Sequence, residues 1–150
     1  MKTSKLEKLS HYAIIVIALS ALVVSVMQTR IQHNRNKLTV KPYLHYSLEQ
    51  NFDDDIASVY IVNDGFGPAI VESITFMYKN KSYNSLEDYL KASGEIKNRR
   101  GSYNYNKNSV FKSNQKNLLV ELKGMSHRNV NVEINYKSIY EEVGTYSFKF

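Results

Sequence analysis

Apolar positions along this chain fall into two regimes. Tyr12–Met27, YAIIVIALSALVVSVM, runs sixteen residues without a charge, and the apolar stretch reaches from about Ser10 to Thr29. At about 1.5 Å per residue, a helix over that stretch covers a hydrocarbon layer of roughly 30 Å. A buried core helix would show a polar stripe, and Ser20 and Ser25 are too few to make one. Each serine can also bond back to a carbonyl of its own helix. A cleaved signal peptide fits the lysines at the start, but its apolar core is usually shorter, and no small-x-small site appears before Gln28. The pattern predicts a basic tail over residues 1–10, a transmembrane helix over 11–29 and a basic juxtamembrane segment over 30–37.

After Lys37 the period changes to two. Leu44, Tyr46 and Leu48 alternate with more polar neighbours, and Pro42 just before them suggests an edge strand. Asn51–Asp55 reads as a turn, Ser58–Val62 as a buried strand, and Ala69–Tyr78 as a strand with Ile74, Phe76 and Tyr78 on one face. One short helix is predicted: Ser85 caps it, Asp88 completes a capping box and Gly94 ends it. Lys97–Asn108 has no apolar periodicity and reads as a long exposed loop. Strands return at Ser109–Lys112, Asn117–Lys123 and Asn129–Tyr136, and the chain closes on alternating Tyr146, Phe148 and Phe150. Seven or so short strands in one stretch, residues 38–150, predict a mainly β domain of the immunoglobulin-like β-sandwich class. No strand–helix–strand alternation supports a parallel sheet.

The net charge of +6 at first suggests a nucleic-acid binder. Its distribution changes that picture. Residues 1–37 hold six basic side chains, Lys2, Lys5, Lys8, Arg30, Arg35 and Lys37, against Glu7 alone. Residues 38–150 are nearly balanced, with fourteen bases and thirteen acids. Most of the excess therefore flanks the apolar span, where each base near anionic head groups contributes about 1 kcal/mol. The two flanks are almost equal in positive charge; the carboxy-terminal one, with Lys41, holds one more side chain. By the positive-inside rule this favours a cytoplasmic domain by a narrow margin. The chain has no cysteine, which excludes disulfides, thiolate catalysis and cysteine-ligated metal.

Three segments resemble a loose family of uncharacterised bacterial single-pass membrane proteins. Gln32–Pro42, QHNRNKLTVKP, resembles a His-Asn-Arg-Leu-Ser/Thr-Val-x-Pro juxtamembrane phrase, from which it departs by the insertion of Asn36-Lys37. Val62–Ala69, VNDGFGPA, resembles an Asn-x-Gly-x-Gly-Pro-Ala turn, and Ile134–Tyr140 a Tyr-x-Ser/Asp-x-Tyr segment. The resemblance implies anchoring in a bacterial inner membrane and the two-part architecture, and says nothing about activity.

Candidate chemistry is sparse. In the turn, Asn63, Gly65, Gly67 and Pro68 form a dense turn cluster. Its glycines could offer N–H groups to an anion, but a phosphate loop needs a lysine and a following helix, and here a strand follows. The plain reading is a tight connection in which glycine supplies positive φ. Asp53–Asp55 could attract a hard cation, although three consecutive carboxylates rarely converge and no EF-hand spacing follows. His11, His33, His45 and His127 are far apart, no nucleophile elbow is present, and Glu141-Glu142 are adjacent in a turn. No cofactor is expected. Residues 91–116 are the one regional anomaly, with seven bases against Glu95. Within them Lys97, Arg99, Arg100 and Lys107, interleaved with Tyr103 and Tyr105, combine cations and stacking faces as single-strand nucleic-acid binders do. A solvated loop is the simpler account; contact with anionic lipid or an acidic partner comes next, and nucleic acid last. The expected function is a non-enzymatic adaptor or interaction module at the membrane with a protein partner. The alternative is a tethered sensor binding an anionic ligand, lipid or nucleic acid through 97–108, and an enzyme ranks third.

Overall fold

The computed structural model describes residues 5–124 and 130–150, which divide into two compact units between Leu38 and Thr39. The first unit is one continuous helix, α1, Lys5–Thr39. Its 35 residues give about 52 Å of helix, so the polar stretch after Met27 is helical too. Side chains from 7 to 36 are all exposed, and none of the apolar window is buried. That overturns the core-helix alternative. Polar groups on α1 turn back on its own backbone: Ser20 Oγ donates to Val16 O at 2.8 Å and Thr29 Oγ1 to Ser25 O at 3.0 Å. Such bonds leave no hydroxyl hydrogen unpaired in an apolar medium. Among the described residues this is the one helix long and apolar enough to cross a membrane.

The second unit is mainly β. Its strands are β1 Leu44–Asn51, β2 Ile56–Asn63, β3 Ala69–Tyr78, β4 Lys81–Tyr83, β5 Arg99–Ser102, β6 Val110–Phe111, β7 Gln115–Lys123, β8 Asn131–Lys137 and β9 Val143–Lys149. Among the described residues they form two antiparallel sheets. One runs in the order β1-β2-β7-β5, the other β4-β3-β8-β9, with β6 also paired to β3. Alternation sends Val59 and Ile61 of β2, Leu122 of β7, Val71 and Phe76 of β3 and Ile134 of β8 into one apolar cluster shared by both sheets. At the β1/β9 side, Tyr46 N–H donates to Tyr146 Oη at 3.0 Å and the Tyr46 ring stacks on Phe148 at 4.9 Å. An edge amide of one sheet is thus answered by a side chain of the other.

The helix α2, Leu86–Ser93, carries the chain from β4 in one sheet to β5 in the other. Ser85 Oγ accepts from Glu87 N–H at 3.2 Å, one residue earlier than the expected capping box through Asp88. Gly94, at φ 79°, closes the helix by donating to Leu90 O and Lys91 O. Leu86, Tyr89 and Leu90 are buried, with Tyr89 set among the rings of Phe76, Tyr78 and Tyr83.

Two strands differ from expectation. β4 returns from β3 through Lys79-Asn80, both at positive φ (47° and 62°). Lysine is a rare residue there, so the usual hairpin signature is missing. β5 occupies the start of the segment read as loop. It has no apolar alternation because it is a short outer strand that, among the described residues, pairs with β7 alone.

Candidate functional site

Residues 40–43 lead into β1 at the end of the sheets where the β2–β3, β6–β7 and β8–β9 connections also lie. The registers Leu44↔Asn63↔Gln115 and Ile70↔Lys137↔Val143 fix this near end. The β1–β2 and β3–β4 turns mark the far end.

Asn63 organises the near end. Its side chain is fully buried and uses both donors and both lone pairs. Nδ2 donates to Gly67 O at 2.8 Å and Phe111 O at 3.0 Å, while Oδ1 accepts from Tyr43 N–H and Gly65 N–H, each at 3.0 Å. One amide therefore joins the approach to β1, its own turn and β6. Ser113 Oγ adds a bond to Gly65 O at 2.5 Å, and Asp64 N–H donates to Tyr43 O at 2.9 Å.

The glycines of the turn serve a purpose other than the expected one. Neither Gly65 nor Gly67 adopts the left-handed region; Gly94 and Gly124 do. A Cβ at Gly67 would stand 1.7 Å from Val40 O, and one at Gly65 2.4 Å from both Lys41 O and Tyr43 N. Glycine is required here because another stretch of backbone passes where a side chain would be. The Gly65 N–H considered for an anion already donates to Asn63 Oδ1.

The basic segment is split by the fold. Lys97 lies on a short 3₁₀ turn, Glu95–Asn98, and Arg99 and Arg100 on the edge strand β5, with a register shift between Arg99 and Gly101. Tyr103 and Tyr105 lie on the segment that runs from β5 in one sheet to β6 in the other, and Lys107 stands just before β6. The two tyrosines are unlike. Tyr103 is exposed, whereas Tyr105 packs its ring edge-on against Phe111 at 4.9 Å and donates its hydroxyl to Leu118 O at 2.8 Å. Burial, and secondarily the nearby Tyr103 hydroxyl, push the Tyr105 phenol up to about 12. Tyr105 is a packing residue, not an open stacking face.

Of the seven bases in 91–116, two form ion pairs among the described residues. Lys91 lies 2.8 Å from Glu87 and Lys116 pairs with Glu49. The Glu87 hydrogen bond and charge hold the Lys91 ammonium above its usual range. Lys116 also stands over the Tyr60 ring at 4.1 Å. Charges and a bulge on an outer strand are how native sheets discourage pairing with another chain, and Arg99-Arg100 fit that description.

Other candidates are placed as follows. Asp53–Asp55 form the far-end hairpin turn, with Asn51 Nδ2 donating to Asp54 Oδ2 at 2.7 Å. Among the described residues no three His, Asp or Glu side chains are grouped to hold a metal ion. Glu141 lies 3.4 Å from Lys137 in the β8–β9 turn, where buried Ser138 Oγ accepts from Tyr140 and Glu142 N–H. Lys8, Arg30, Arg35 and Lys37 lie along α1, which begins at Lys5; Lys2 and His127 fall outside the described residues.

Sequence reasoning missed a set of exposed apolar side chains at the near end: Tyr43, Phe66, Ile139 and Val143. Their signal was available, since each lies in or beside a turn-forming segment where an apolar residue has no core to fill. No protein-family model matches this chain, and no curated protein or solved structure matches it.

Proposed function

We propose that this chain is a membrane-anchored interaction module, an immunoglobulin-like β-sandwich held at a bacterial inner membrane by α1 and acting as a non-enzymatic adaptor. The observation that carries this reading is α1 itself. An apolar helix with no buried side chain has no stable place in water and matches the thickness of a hydrocarbon layer. The sheet orders β1-β2-β7-β5 and β4-β3-β8-β9 support the sandwich, because they follow the ABED and CFG order of immunoglobulin domains with two strands added, β4 and β6, both paired to β3. A domain of this kind offers loops and edges for a protein partner. The charge flanks favour a cytoplasmic domain.

Extraction of membranes with carbonate and with high salt tests the anchor. The full chain is expected to stay in the pellet in both, and release by salt alone would overturn the reading. Cross-linking and co-purification from those membranes should then capture a protein through the β unit.

A second reading, a membrane-tethered sensor binding an anionic ligand, lipid or nucleic acid through 97–108, is favoured by one observation. Lys97, Arg99 and Arg100 form no ion pair among the described residues.

A further inference from the structure

We propose that the near end of the β unit docks on the anionic head-group surface of the bilayer that holds α1, an inference that rests on the anchor reading above. Four apolar side chains project from three separate segments at this one end. Tyr43 is 67% exposed, Phe66 84%, Val143 71% and Ile139 50%. None has a place in the shared core, and water-exposed apolar tips gathered at one end mark an interaction surface. The far end has its own exposed ring, Phe52, but that one stands beside Asp53-Asp54-Asp55, which an anionic surface would repel.

Charge at the near end is balanced, Lys41, Lys112 and Lys137 against Asp64, Glu141 and Glu142, where the far-end turn holds three consecutive acids. Lys41 and Lys112 form no ion pair among the described residues. Of the acids nearby, Glu141 lies 3.4 Å from Lys137, and Asp64 Oδ2 lies 3.1 Å from His45 Nδ1 without hydrogen-bond geometry. Glu142 lines the same shallow pocket as Lys41. Tyrosine and lysine together are the side chains that settle at the water–lipid boundary, the ring at head-group depth and the ammonium on phosphate.

Chain length makes the contact attainable. Arg30–Thr39 of α1 lie between the apolar stretch and this end, about 15 Å of helix. The head-group layer takes up about 5–8 Å of that, and tilt of the helix shortens the remainder. The occupant is therefore the membrane surface the chain is already tied to, and docking adds no search in solution.

The chain contains no tryptophan, so single substitutions supply a depth probe. Full-length Leu19→Trp, Phe66→Trp and Phe52→Trp chains are reconstituted separately in nanodiscs of zwitterionic lipid, with or without phosphatidylglycerol. Brominated lipids, carrying bromine either near the head groups or near the bilayer centre, serve as quenchers. Leu19→Trp is expected to be quenched from the centre in every disc. Phe66→Trp is expected to shift to the blue and be quenched from the shallow position in anionic discs, with the Phe52→Trp emission unchanged. Replacing Lys41 and Lys112 by serine should lower the docked-to-undocked ratio by about fivefold each, as should added salt in the same direction. Phe66→Trp emission matching Phe52→Trp in every disc, with Leu19→Trp still quenched, would overturn the docking and leave the anchor intact. Loss of Leu19→Trp quenching would sink the anchor and the docking together. Equal quenching of Phe66→Trp in zwitterionic discs would overturn the role given to the two lysines.

Discussion

The turn at 63–68 and the basic segment at 97–107 are both poor in aliphatic residues, yet the folded unit treats them in opposite ways. In the turn, a single buried amide satisfies four backbone groups drawn from the approach to β1, the turn and β6. In the basic segment, Lys97 on the 3₁₀ turn and Arg99 and Arg100 on the outer strand β5 face solvent, and Tyr105 reaches inward. A polar stretch becomes structural when its hydrogen bonds are completed out of water, since each buried group left unpaired costs about 1–3 kcal/mol. The same polarity on an open edge leaves stability almost untouched and shapes what the edge will accept. Substitutions in the two stretches should therefore differ by several-fold in effect.

The largest effect is expected at Gly67. A methyl group there would need to displace the Val40 carbonyl, a backbone atom 1.7 Å away, so Gly67→Ala should cost about 4 kcal/mol or more. In detergent-solubilised full-length chain the β signal in circular dichroism should be lost or melt far earlier, with the α1 signal retained. Asn63→Ala comes next. It leaves Tyr43 N–H, Gly65 N–H, Gly67 O and Phe111 O without their partner, and water entering the small cavity recovers part of the loss. About 3 kcal/mol is the expected cost, read from the denaturation midpoint. A variant at either position that melts like the parent would erase the contrast.

Tyr105 is the exception inside the basic segment, and it can be separated from its neighbours. Tyr105→Phe keeps the ring on Phe111 and removes the hydroxyl that donates to Leu118 O, at about 1 kcal/mol. Its pH dependence has a definite sign. The unfolded phenol titrates near about 10, whereas the folded one is pushed up to about 12. Between these values the unfolded chain releases a proton that the folded chain keeps, so stability present below pH 10 declines as pH rises towards 12. Tyr136 and Tyr146, also raised by burial, contribute in the same direction. Tyr105→Phe should thus reduce the alkaline loss without abolishing it. An identical alkaline profile in parent and variant would remove Tyr105 from the core.

Much of the β unit was legible because one periodicity dominates it. Ala69–Tyr78 is predicted and found as a strand with the same ends, and α2 begins and ends at the foreseen Ser85 and Gly94. The shared core follows from alternation in β2, β3 and β8. What escaped has a common cause: it depends on where a second stretch of chain passes. The need for glycine at 65 and 67 comes from residues 40–43, far away in sequence. Arg99–Ser102 gives no strand signal because its partner β7 supplies the pairing and its other side is open. Tyr103 and Tyr105 look alike in the chain, and only the position of Phe111 tells them apart. The near-end tips were hidden for the reverse reason: single apolar residues in turns look unremarkable until the fold brings Tyr43, Phe66, Ile139 and Val143 to one end.

The smallest effect on stability, and the most informative about the edge, belongs to the bases of the second stretch. Replacing Lys97, Arg99, Arg100 and Lys107 by serine removes no hydrogen bond among the described residues that holds a buried group. The change in stability should stay within about 0.5 kcal/mol of the parent. Association is where these residues should matter. An outer strand freed of charge presents its unpaired amides and carbonyls to another chain, so Arg99→Val with Arg100→Thr should raise self-association in detergent at unchanged melting temperature. Sedimentation of the two variants against the parent separates the possibilities. Unchanged association in both, together with lost affinity for a single-stranded oligonucleotide or an acidic peptide in the serine variant, would identify the bases as a binding surface. A nucleic-acid target would further show a shallower slope of log affinity against log salt, reduced roughly in proportion to the charges removed. Increased association without any such binding would identify Arg99 and Arg100 as guards of the β5 edge, and the contrast with the buried amide of Asn63 would then be complete: one polar group selected for the partners it has, two for the partner they exclude.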